Sequence, residues 1–407
     1  MRILLYCLNF APELTSTGKY NGELALWLAQ RGHSVRVVTS PPHYPQWRVG
    51  AGFSAWRYTR TQATGEPDTW RAPLWVPARP TGARRLLHLA SFALSSLPVM
   101  LWQATWRPQV VMVVVPTLFT APAGWLVARL SGARTWMHIQ DFEVDAAFAL
   151  GVLKQNHGQR LARRLERALL RGFDRVSTIS DNMLARLRLK GVDEERTQLL
   201  PNWVDTDQIR PLPTPSPFRR ELDIAADQVV ALYSGNMGRK QGLEILADVA
   251  ERLGENRAIT FVFAGAGESR AQLQTATAHL ANVRWLPLQP VERLNDLLNL
   301  ADIHLLPQRA DAADLVMPSK LTGMLASGRP VVATAASGTQ VARVVEGCGV
   351  VTPPEDAAAL ARALQELAAQ ADTRRSLGES ARDYALRHLG RDAILASFDA
   401  YLRQLTT

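Results

Sequence analysis

Short apolar runs alternate with longer amphipathic segments along the first half of the chain. The runs have the length and composition of buried strands, and the segments between them have the period of helices. This alternation is typical of a parallel sheet covered by helices. The strands predicted in this half are residues 2–6, 34–39, 110–115, 135–139, 175–179 and 198–200, with the first helix ending at Gly32.

The second half restarts the same alternation after a proline-rich stretch at residues 210–217, which cannot sustain a helix or a central strand. A chain of 407 residues also exceeds the size at which one core stops growing. We therefore predict an N-terminal domain at 1–204, a linker at 205–217, a C-terminal domain at 218–389, and a C-terminal helix at 390–407 that packs back on the first domain. The strands predicted in the second domain are residues 229–233, 259–264, 283–285, 303–306 and 330–334.

One uncharged stretch, residues 86–106, has about the length that crosses a bilayer. His88, Pro98 and Gln103 lower its tendency to insert. Three alternatives fit this stretch: a spanning helix, a helix inside the domain, and an interfacial helix. The residues that favour an interfacial helix are the arginines and tryptophans at or near its ends, Arg79, Arg84, Arg85, Trp102, Trp106 and Arg107.

Composition narrows the classes of protein. Apolar residues at 47% and charged residues at 20% are ordinary for a globular chain. The net charge of +9 is concentrated in the first half without a nucleic-acid motif, so we expect an anionic membrane surface or an acidic substrate and no nucleic acid. Cys7 and Cys348 are predicted to be buried free thiols. The N-terminus has the pattern of a strand rather than a signal peptide, and a cytoplasmic protein is expected.

Two segments carry the candidate chemistry, residues 234–242 and 317–332. Each brings a lysine, Lys240 or Lys320, next to a predicted helix N-terminus, where free N–H groups and the helix dipole favour an anion. The spacing of Gly235, Gly238 and Gly242 differs from the dinucleotide fingerprint. Two such cradles suggest a diphosphate.

Together these segments resemble the C-terminal half of a retaining, nucleotide-sugar-dependent glycosyltransferase of family 4, and the resemblance extends over nearly the whole chain. It implies the GT-B fold: α/β, with two Rossmann-like domains whose parallel sheets face an interdomain cleft. The run from Tyr44 to Trp47, the segment from His138 to Asp141 and the segment from Pro318 to Thr322 are most similar to the bacterial glycosyltransferases of colanic-acid-type exopolysaccharide assembly, the WcaI-like group.

The resemblance implies a substrate class and a location. The donor is a GDP- or UDP-linked sugar, the acceptor a lipid-linked oligosaccharide, and the transferred sugar, by analogy with this group, fucose. The protein would be peripheral on the cytoplasmic face of the inner membrane. No cofactor or metal is expected, because Lys240 and helix termini would replace a divalent cation.

Catalytic roles carried over from the family fall on three residues. Lys240 would neutralise the leaving diphosphate, and His138, at the end of a strand, would lie by the donor sugar unless it is only a structural histidine. Relatives carry two glutamates separated by seven residues where this chain has Leu315 and Gly323. Asp314 is the candidate for the acid that contacts the sugar, and the ribose partner is left unassigned.

Binding residues follow from the same alignment of motifs. Asn236 stands where relatives carry an arginine, and Arg239 is a candidate substitute. The predicted donor-binding residues are Gly18, Gly235, Asn236, Arg239, Gly265, Gly267, Leu288, Pro318, Ser319, Lys320 and Leu321. The predicted acceptor-binding residues are Thr17, Lys19, His43, Tyr44, Trp47 and Asp141, with Asp145 as a further candidate. Aromatic faces stack on sugar rings, although an ordinary packed loop is the alternative for residues 43–47.

Two other functions fit the same pattern. A nucleotide-sugar epimerase would share the architecture and need no acceptor. A non-catalytic, membrane-associated protein that binds nucleotide sugars is the other alternative, because both glutamates are missing. The acid pair Asp205 and Asp207 follows the family hallmark from Pro201 to Val204, and no metal role is expected for it.

Overall fold

The computed structural model describes residues 1–13, 16–78, 82–116, 118–142, 145, 157–238, 241–310 and 317–407. These residues form two compact units, the first of Met1–Pro201 with Ala393–Thr407 and the second of Asn202–Asp392. Each unit contains its own parallel α/β sheet, which confirms the predicted fold class. Arg79, Arg239, Lys240, Asp314 and Leu315 lie outside the described residues.

The sheet of the first unit has eight strands in the order β3-β4-β2-β1-β5-β6-β7-β8. Its strands are β1 (Arg2–Cys7), β2 (Ser34–Thr39), β3 (Thr59–Thr61), β4 (Asp68–Arg71), β5 (Val110–Val115), β6 (Arg134–Ile139), β7 (Arg175–Thr178) and β8 (Thr197–Leu199). All neighbours pair in parallel except β3 and β4, which are antiparallel. These two strands were missed because they are short and rich in polar side chains, so they lack the apolar run that identifies the others.

The α-helices described in the first unit before residue 201 are α1 (Ser16–Gln30), α2 (Gly82–Gln103), α3 (Ala121–Ser131), α4 (His157–Gly172) and α5 (Asp181–Leu189). Tyr6 of β1 and Val113 of β5 are register partners in the parallel ladder and therefore point to the same face of the sheet. Tyr6 contacts Phe92 of α2, and Val113 fills the space beside Gly124 of α3. Helices α2 and α3 thus share one face, and α4 lies next to α3.

Helix α2 packs on the sheet along one side and exposes the other. Its buried residues are His88, Leu89, Phe92, Ser96, Met100 and Gln103. Among the described residues, Gly82–Trp106 is the one helical stretch whose length and composition would let it cross a membrane, and about a third of its most apolar window is buried. Its buried side belongs to the core of the unit, and its other side is exposed. It ends at Arg107, whose φ of 53° is left-handed.

The second unit has six parallel strands in the order β11-β10-β9-β12-β13-β14. They are β9 (Val229–Asn236), β10 (Ile259–Ala266), β11 (Val283–Leu286), β12 (Ile303–Pro307), β13 (Val331–Thr334) and β14 (Gly349–Thr352). Its helices are α6 (Phe218–Glu221), α7 (Glu244–Arg252), α8 (Arg270–Ala276), α9 (Leu294–Leu298), α10 (Lys320–Ala326), α11 (Gln340–Val345), α12 (Ala357–Ala369) and α13 (Ala371–His388). The last strand was not predicted.

The C-terminal helix α14 (Arg391–Thr406) covers the other face of the first sheet. Trp136 of β6 pairs in register with Met112, one residue from Val113, and so points away from α2. Its ring contacts Phe398 of α14 at 5.0 Å between centroids. A contact of 2.8 Å between His33 Nε2 and Asp399 Oδ1 links the same helix to the residues beside the N-terminus.

Candidate functional site

Two glycine turns lie side by side at the carboxyl edge of the second sheet. The ladder between β9 and β10 runs beyond the predicted strands, so that Gly265 is the register partner of Gly235. Gly265 has a φ of 140°, and a Cβ there would lie 2.0 Å from the carbonyl oxygen of Gly235. A Cβ at Gly267 would lie 2.5 Å from the carbonyl oxygen of Met237. Both positions require glycine because backbone approaches backbone.

Lys320, the first residue of α10, reaches across to this edge. Its Nζ donates to the hydroxyl of Tyr233 at 2.7 Å and lies 4.1 Å from the centroid of the Tyr233 ring. The end of the side chain also lies 3.4 Å from where a Cβ on Gly235 would be. The two predicted cradles therefore meet through Lys320 and Gly235.

The described residues compensate the charge of Lys320 poorly. Burial lowers the pKa of Lys320 to about 7, and no carboxylate among the described residues acts on it. A desolvated ammonium without an opposite charge costs free energy, and a bound anion would remove that cost. The site is suited to an anionic ligand.

The N-terminus of α10 differs from the prediction in how its N–H groups are used. Ser319 stands at the N-cap with helical dihedrals, and its hydroxyl makes no capping bond. The N–H of Leu321 donates to the carbonyl of Pro318 at 3.1 Å. Because α10 has seven residues, its dipole adds little. The side-chain ammonium of Lys320 is therefore the main attraction for an anion in this segment.

Two residues near the glycine turns were not predicted from the sequence. Tyr233 is the one polar ring in an otherwise aliphatic run of β9, which is the signal that could have marked it. Arg270 of α8 donates to the carbonyl of Gly265 and lies over the ring of Trp285 at 5.6 Å. Both side chains hold the turns in place.

The remaining donor candidates occupy separate places in this unit. Asn236, the last residue of β9, is exposed. Leu288 is exposed, and the amide of Gln289 donates to Pro287 beside it. A Cβ at Gly323 would lie 3.2 Å from Leu298 of α9, so the position where relatives carry the second glutamate faces a leucine.

A buried carboxylate, Glu13, organises the carboxyl edge of the first sheet. It accepts the N–H groups of His43 at 2.7 Å and Tyr44 at 2.9 Å, and the amide of Asn9 at 2.8 Å. Burial raises the pKa of Glu13, and these three donors oppose the rise. A Cβ on Gly18 would lie 2.8 Å from Glu13 Oε2, so the space beside Gly18 is already filled by an acid.

The aromatic acceptor candidates form one cluster with a histidine that the sequence did not single out. The ring of His88 on α2 lies 5.0 Å from His43 and 5.2 Å from Trp47, and Tyr44 lies 6.5 Å from Trp47. Trp47 has a φ of 51°, which lies in the left-handed region. This backbone conformation costs a residue with a Cβ about 1 kcal/mol or more, and it is frequent at functional sites. His88 donates from Nδ1 to the carbonyl of Trp75 at 2.7 Å.

The polar acceptor candidates are distributed around this cluster. Thr17 is buried, and Lys19 forms an ion pair of 3.4 Å with Glu23. Burial raises the pKa of Tyr44, the charge of Arg85 lowers it, and the charge of Asp141 raises it, so both charges lie close to its phenol.

The carboxylate of Asp145, a further acceptor candidate, is engaged in ion pairs. It pairs with Arg186 at 2.9 Å and Lys190 at 3.0 Å, and Lys190 also contacts Glu166. These pairs stabilise the packing of α4 and α5 and leave the carboxylate of Asp145 engaged.

His138 is buried with both ring nitrogens bonded inside the unit. Nδ1 lies 2.9 Å from Ser177 Oγ, and Nε2 lies 2.9 Å from the amide nitrogen of Gln140. Because an amide nitrogen donates, Nε2 accepts and Nδ1 carries the proton. Burial lowers the pKa of His138 to about 3, so the ring is neutral. Contact with a donor sugar stays a prediction for this residue.

The acid pair after the first unit has a structural explanation. Asp205 pairs with Arg391 at 2.8 Å and accepts the N–H groups of Asp207 and Gln208. Among the described residues, no three His, Cys, Asp or Glu side chains are grouped so that they could hold a metal ion.

Family models match both halves of the chain. Residues 16–203 match a glycosyl transferase 4-like domain, and residues 228–370 match the glycosyl transferases group 1. The chain is 42% identical over 98% of its length, and 98% of the relative's, to a putative colanic acid biosynthesis glycosyl transferase, WcaI, of Escherichia coli K12.

Solved structures support the same fold. Sucrose-phosphate synthase from Thermosynechococcus elongatus superposes with a TM-score of 0.78 at 19% identity, over 100% of this chain and 99% of that one. HepE of Anabaena, in complex with UDP-glucose, superposes with a TM-score of 0.68 at 16% identity, over 99% and 100% of the two chains.

Proposed function

This chain belongs to the GT-B glycosyltransferases that combine a glycosyl transferase 4-like domain with a group 1 domain, and we propose that it transfers a hexose or deoxyhexose, with retention, from a nucleotide diphosphate sugar to a lipid-linked oligosaccharide. The relative named for colanic acid biosynthesis favours a role in bacterial exopolysaccharide assembly. The fucose expected from the sequence resemblance makes GDP-fucose the first donor to test, with UDP-glucose second because HepE was solved with it.

The observation that carries the proposal is the ammonium of Lys320 at the glycine turns. Departure of a nucleotide diphosphate leaves negative charge on the phosphates while positive charge grows at the anomeric carbon. Lys320 has no carboxylate partner among the described residues and lies against Gly235, where a diphosphate oxygen can approach the backbone. A cation held in a desolvated place before the reaction lowers the barrier most, because it need not reorganise. Lys240 is proposed to add a second cation.

The acceptor is proposed to bind at the aromatic cluster of the first unit. Trp47 is half-buried and offers a ring face for a sugar, whereas His43 is buried, and both rings contact His88 of α2. The outer side of the same helix exposes Leu87, Leu94 and Leu101, spaced seven residues apart on one face. A sugar held at the cluster would therefore lie close to an apolar surface, which fits an acceptor attached to a lipid.

We further propose that this face lies on an anionic membrane. Residues 69–140 contain seven arginines and no aspartate or glutamate. Helices α2, α3 and α4 are adjacent, and each exposes leucines between arginines. The exposed leucines are Leu87, Leu94, Leu101, Leu126, Leu130, Leu161 and Leu165, and the exposed arginines are Arg84, Arg85, Arg107, Arg129, Arg160, Arg164 and Arg167. We call this set the leucine-arginine face. Apolar insertion together with positive charge is the combination that holds proteins at anionic lipid surfaces.

The proposed activity is tested by incubating the purified chain with radiolabelled GDP-fucose, UDP-glucose and UDP-galactose, each with lipid extracted from an exopolysaccharide-producing strain. We expect one donor to label the lipid fraction, with retained anomeric configuration by NMR of the released glycan. Conversion of free nucleotide sugar without labelled lipid would indicate epimerisation instead. Binding of donor without either product would indicate a non-catalytic binding protein.

A further inference from the structure

Tyr233 lies at the point where the two glycine- and lysine-bearing segments meet. Its ring is buried in the core of the second unit, while its hydroxyl reaches the carboxyl edge of the sheet. The hydroxyl donates to the carbonyl of Asn236 at 2.6 Å and accepts from Lys320 Nζ at 2.7 Å. We propose that Tyr233 is a positioning residue that joins these two segments and holds the Lys320 ammonium ready for the diphosphate of the donor.

The direction of each hydrogen bond follows from chemistry. A carbonyl can only accept, so the single phenolic hydrogen of Tyr233 is used by Asn236. The bond to Lys320 must therefore use a lone pair of the phenol and a hydrogen of the ammonium. Lys320 has three N–H donors, and this bond uses one of them. The described residues use no other, which leaves two for phosphate oxygens.

Both the ring and the hydroxyl of Tyr233 contact the ammonium of Lys320. The ammonium lies 4.1 Å from the ring centroid, within the range of a cation–π interaction. On its other side the space is limited, because the end of the lysine lies 3.4 Å from the Cβ position of Gly235. The ammonium is thus fixed between an aromatic ring and a glycine turn before any ligand arrives, and this order reduces the entropic cost of binding.

The link also couples the two segments mechanically. Asn236 ends β9, and its peptide is paired with Ala266 in the neighbouring turn. A displacement of Tyr233 would move Lys320 and the carbonyl of Asn236 together. The position of one segment therefore depends on the other through a single phenol.

The inference rests on the proposed function, and its test separates the two. Affinity for UDP and GDP is measured by calorimetry for the wild-type chain, Tyr233→Phe, Lys320→Met and the double variant. Phenylalanine keeps the ring and removes the hydroxyl. We expect Tyr233→Phe to weaken binding by about ten- to a hundredfold, the range for one hydrogen bond to a charged group. In the Lys320→Met background the same change should alter affinity less than about threefold, because the positioned group is already gone.

Two controls address folding. Tyr6→Phe removes a buried phenol hydrogen bond to Ser96 in the first unit and should leave nucleotide affinity unchanged. Lys320→Arg keeps the positive charge but does not fit the space between Tyr233 and Gly235, so its affinity for UDP and GDP should be lower. This variant tests the proposal even if Tyr233→Phe is unstable. Unchanged affinity in Tyr233→Phe or in Lys320→Arg, or additive losses in the double variant, would overturn the role of Tyr233. Failure of the wild-type chain to bind either nucleotide, or any other nucleotide diphosphate, would overturn the proposed function itself.

Discussion

Single charges decide how strongly the second unit can attract a phosphate. Burial removes water from the ammonium of Lys320 and lowers its pKa to about 7, so near neutral pH the group is poised between its two protonation states. An anion placed beside it favours the charged form and raises that pKa again. Binding of a diphosphate and uptake of a proton are therefore linked at this residue.

This linkage predicts the pH dependence of nucleotide binding. Below pH 7 Lys320 is already charged in the free protein, and binding needs no proton uptake. Above pH 7 a proton must be taken up, so affinity for UDP should fall as pH rises, by up to about tenfold per unit until the pKa of the complex is reached. Calorimetry between pH 6.5 and 9 in buffers of different ionisation enthalpy measures both quantities. Constant affinity with no proton uptake would contradict this account.

The two lysines should differ from ordinary surface lysines in their effect on turnover. Lys240→Ala and Lys320→Met each remove a charge whose importance grows as the diphosphate departs. We expect each folded variant to lose about 10²-fold or more in kcat/KM for the donor. Lys19 is a predicted acceptor-binding residue and serves as the comparison. Lys19→Met, which breaks an ion pair with Glu23 on α1, should leave the donor KM unchanged. Normal turnover of Lys240→Ala would remove that residue from the site.

At the scale of elements, strands β9 and β10 continue into the glycine turns of the site. Their ladder continues through Gly235 and Gly265, so the turns are as fixed as the sheet itself. A rigid edge of this kind keeps the distance between the backbone of the glycine turns and Lys320 constant. Loops without such pairing would need to be ordered by the ligand at an entropic cost.

Gly265→Ala tests this rigidity. The added Cβ would lie 2.0 Å from the carbonyl oxygen of Gly235, and the φ of 140° is unfavourable for alanine by about 1 to 3 kcal/mol. We expect a lower melting temperature together with at least tenfold weaker UDP binding. Gly347→Ala is the matched control in the same unit, because nothing lies within 4 Å of its added Cβ. Wild-type affinity in Gly265→Ala would show that the turn tolerates displacement.

Helix α2 combines two roles that its sequence presents together. Its buried side places His88 beside the aromatic cluster, and its exposed side carries leucines at a spacing of seven. Tyr58 is held against it by a bond to the carbonyl of Ser95 at 2.7 Å, which adds an exposed ring next to the helix. One element thereby connects the proposed acceptor contacts with the proposed membrane surface.

For the whole molecule, the leucine-arginine face predicts reversible binding to lipid. Each arginine close to an anionic surface contributes up to about 1 kcal/mol, and salt screens this attraction. The purified chain should sediment with phosphatidylglycerol-containing liposomes at low salt and be released at high salt. Arg84→Glu with Arg85→Glu should reduce binding, whereas Arg362→Glu with Arg375→Glu, an equal change on the second unit, should not.

Other outcomes of the liposome experiment would point to other arrangements. A spanning helix would resist extraction by salt, and a helix with no role at the membrane would give no preference for anionic vesicles. Absence of binding at low salt would reject the leucine-arginine face as a membrane surface.

Metal independence is a second prediction for the molecule as a whole. If Lys240 and Lys320 neutralise the leaving group, no divalent cation is required, and transfer should persist in EDTA. The acid pair at Asp205 does not argue for a metal, because that carboxylate is bonded to Arg391 and to backbone N–H groups. Loss of transfer on chelation, restored by Mg²⁺ or Mn²⁺, would reverse this prediction.

The sequence by itself determined the apolar strands that form most of the two sheets, and the segments that carry the candidate chemistry. Buried parallel strands are continuous apolar runs, and glycine turns with a nearby lysine are local motifs, so both can be identified without knowing what packs against them. Strands β2 and β5 were predicted to the residue for this reason. Strands β3 and β4 were not, because polar side chains on short strands are decided by pairing with distant neighbours.

Only the tertiary structure decided which side chains meet and which are satisfied. Tyr233 and Lys320 are 87 residues apart in sequence, and His43 meets His88 only because α2 packs on the sheet. The same holds for His138, whose ring is enclosed by Ser177 and Gln140, and for Asp145, whose carboxylate is engaged by Arg186 and Lys190. Burial, charge compensation and hydrogen bonding depend on these long-range contacts, and a pattern along the chain contains residue types and spacings but not the neighbours that folding supplies.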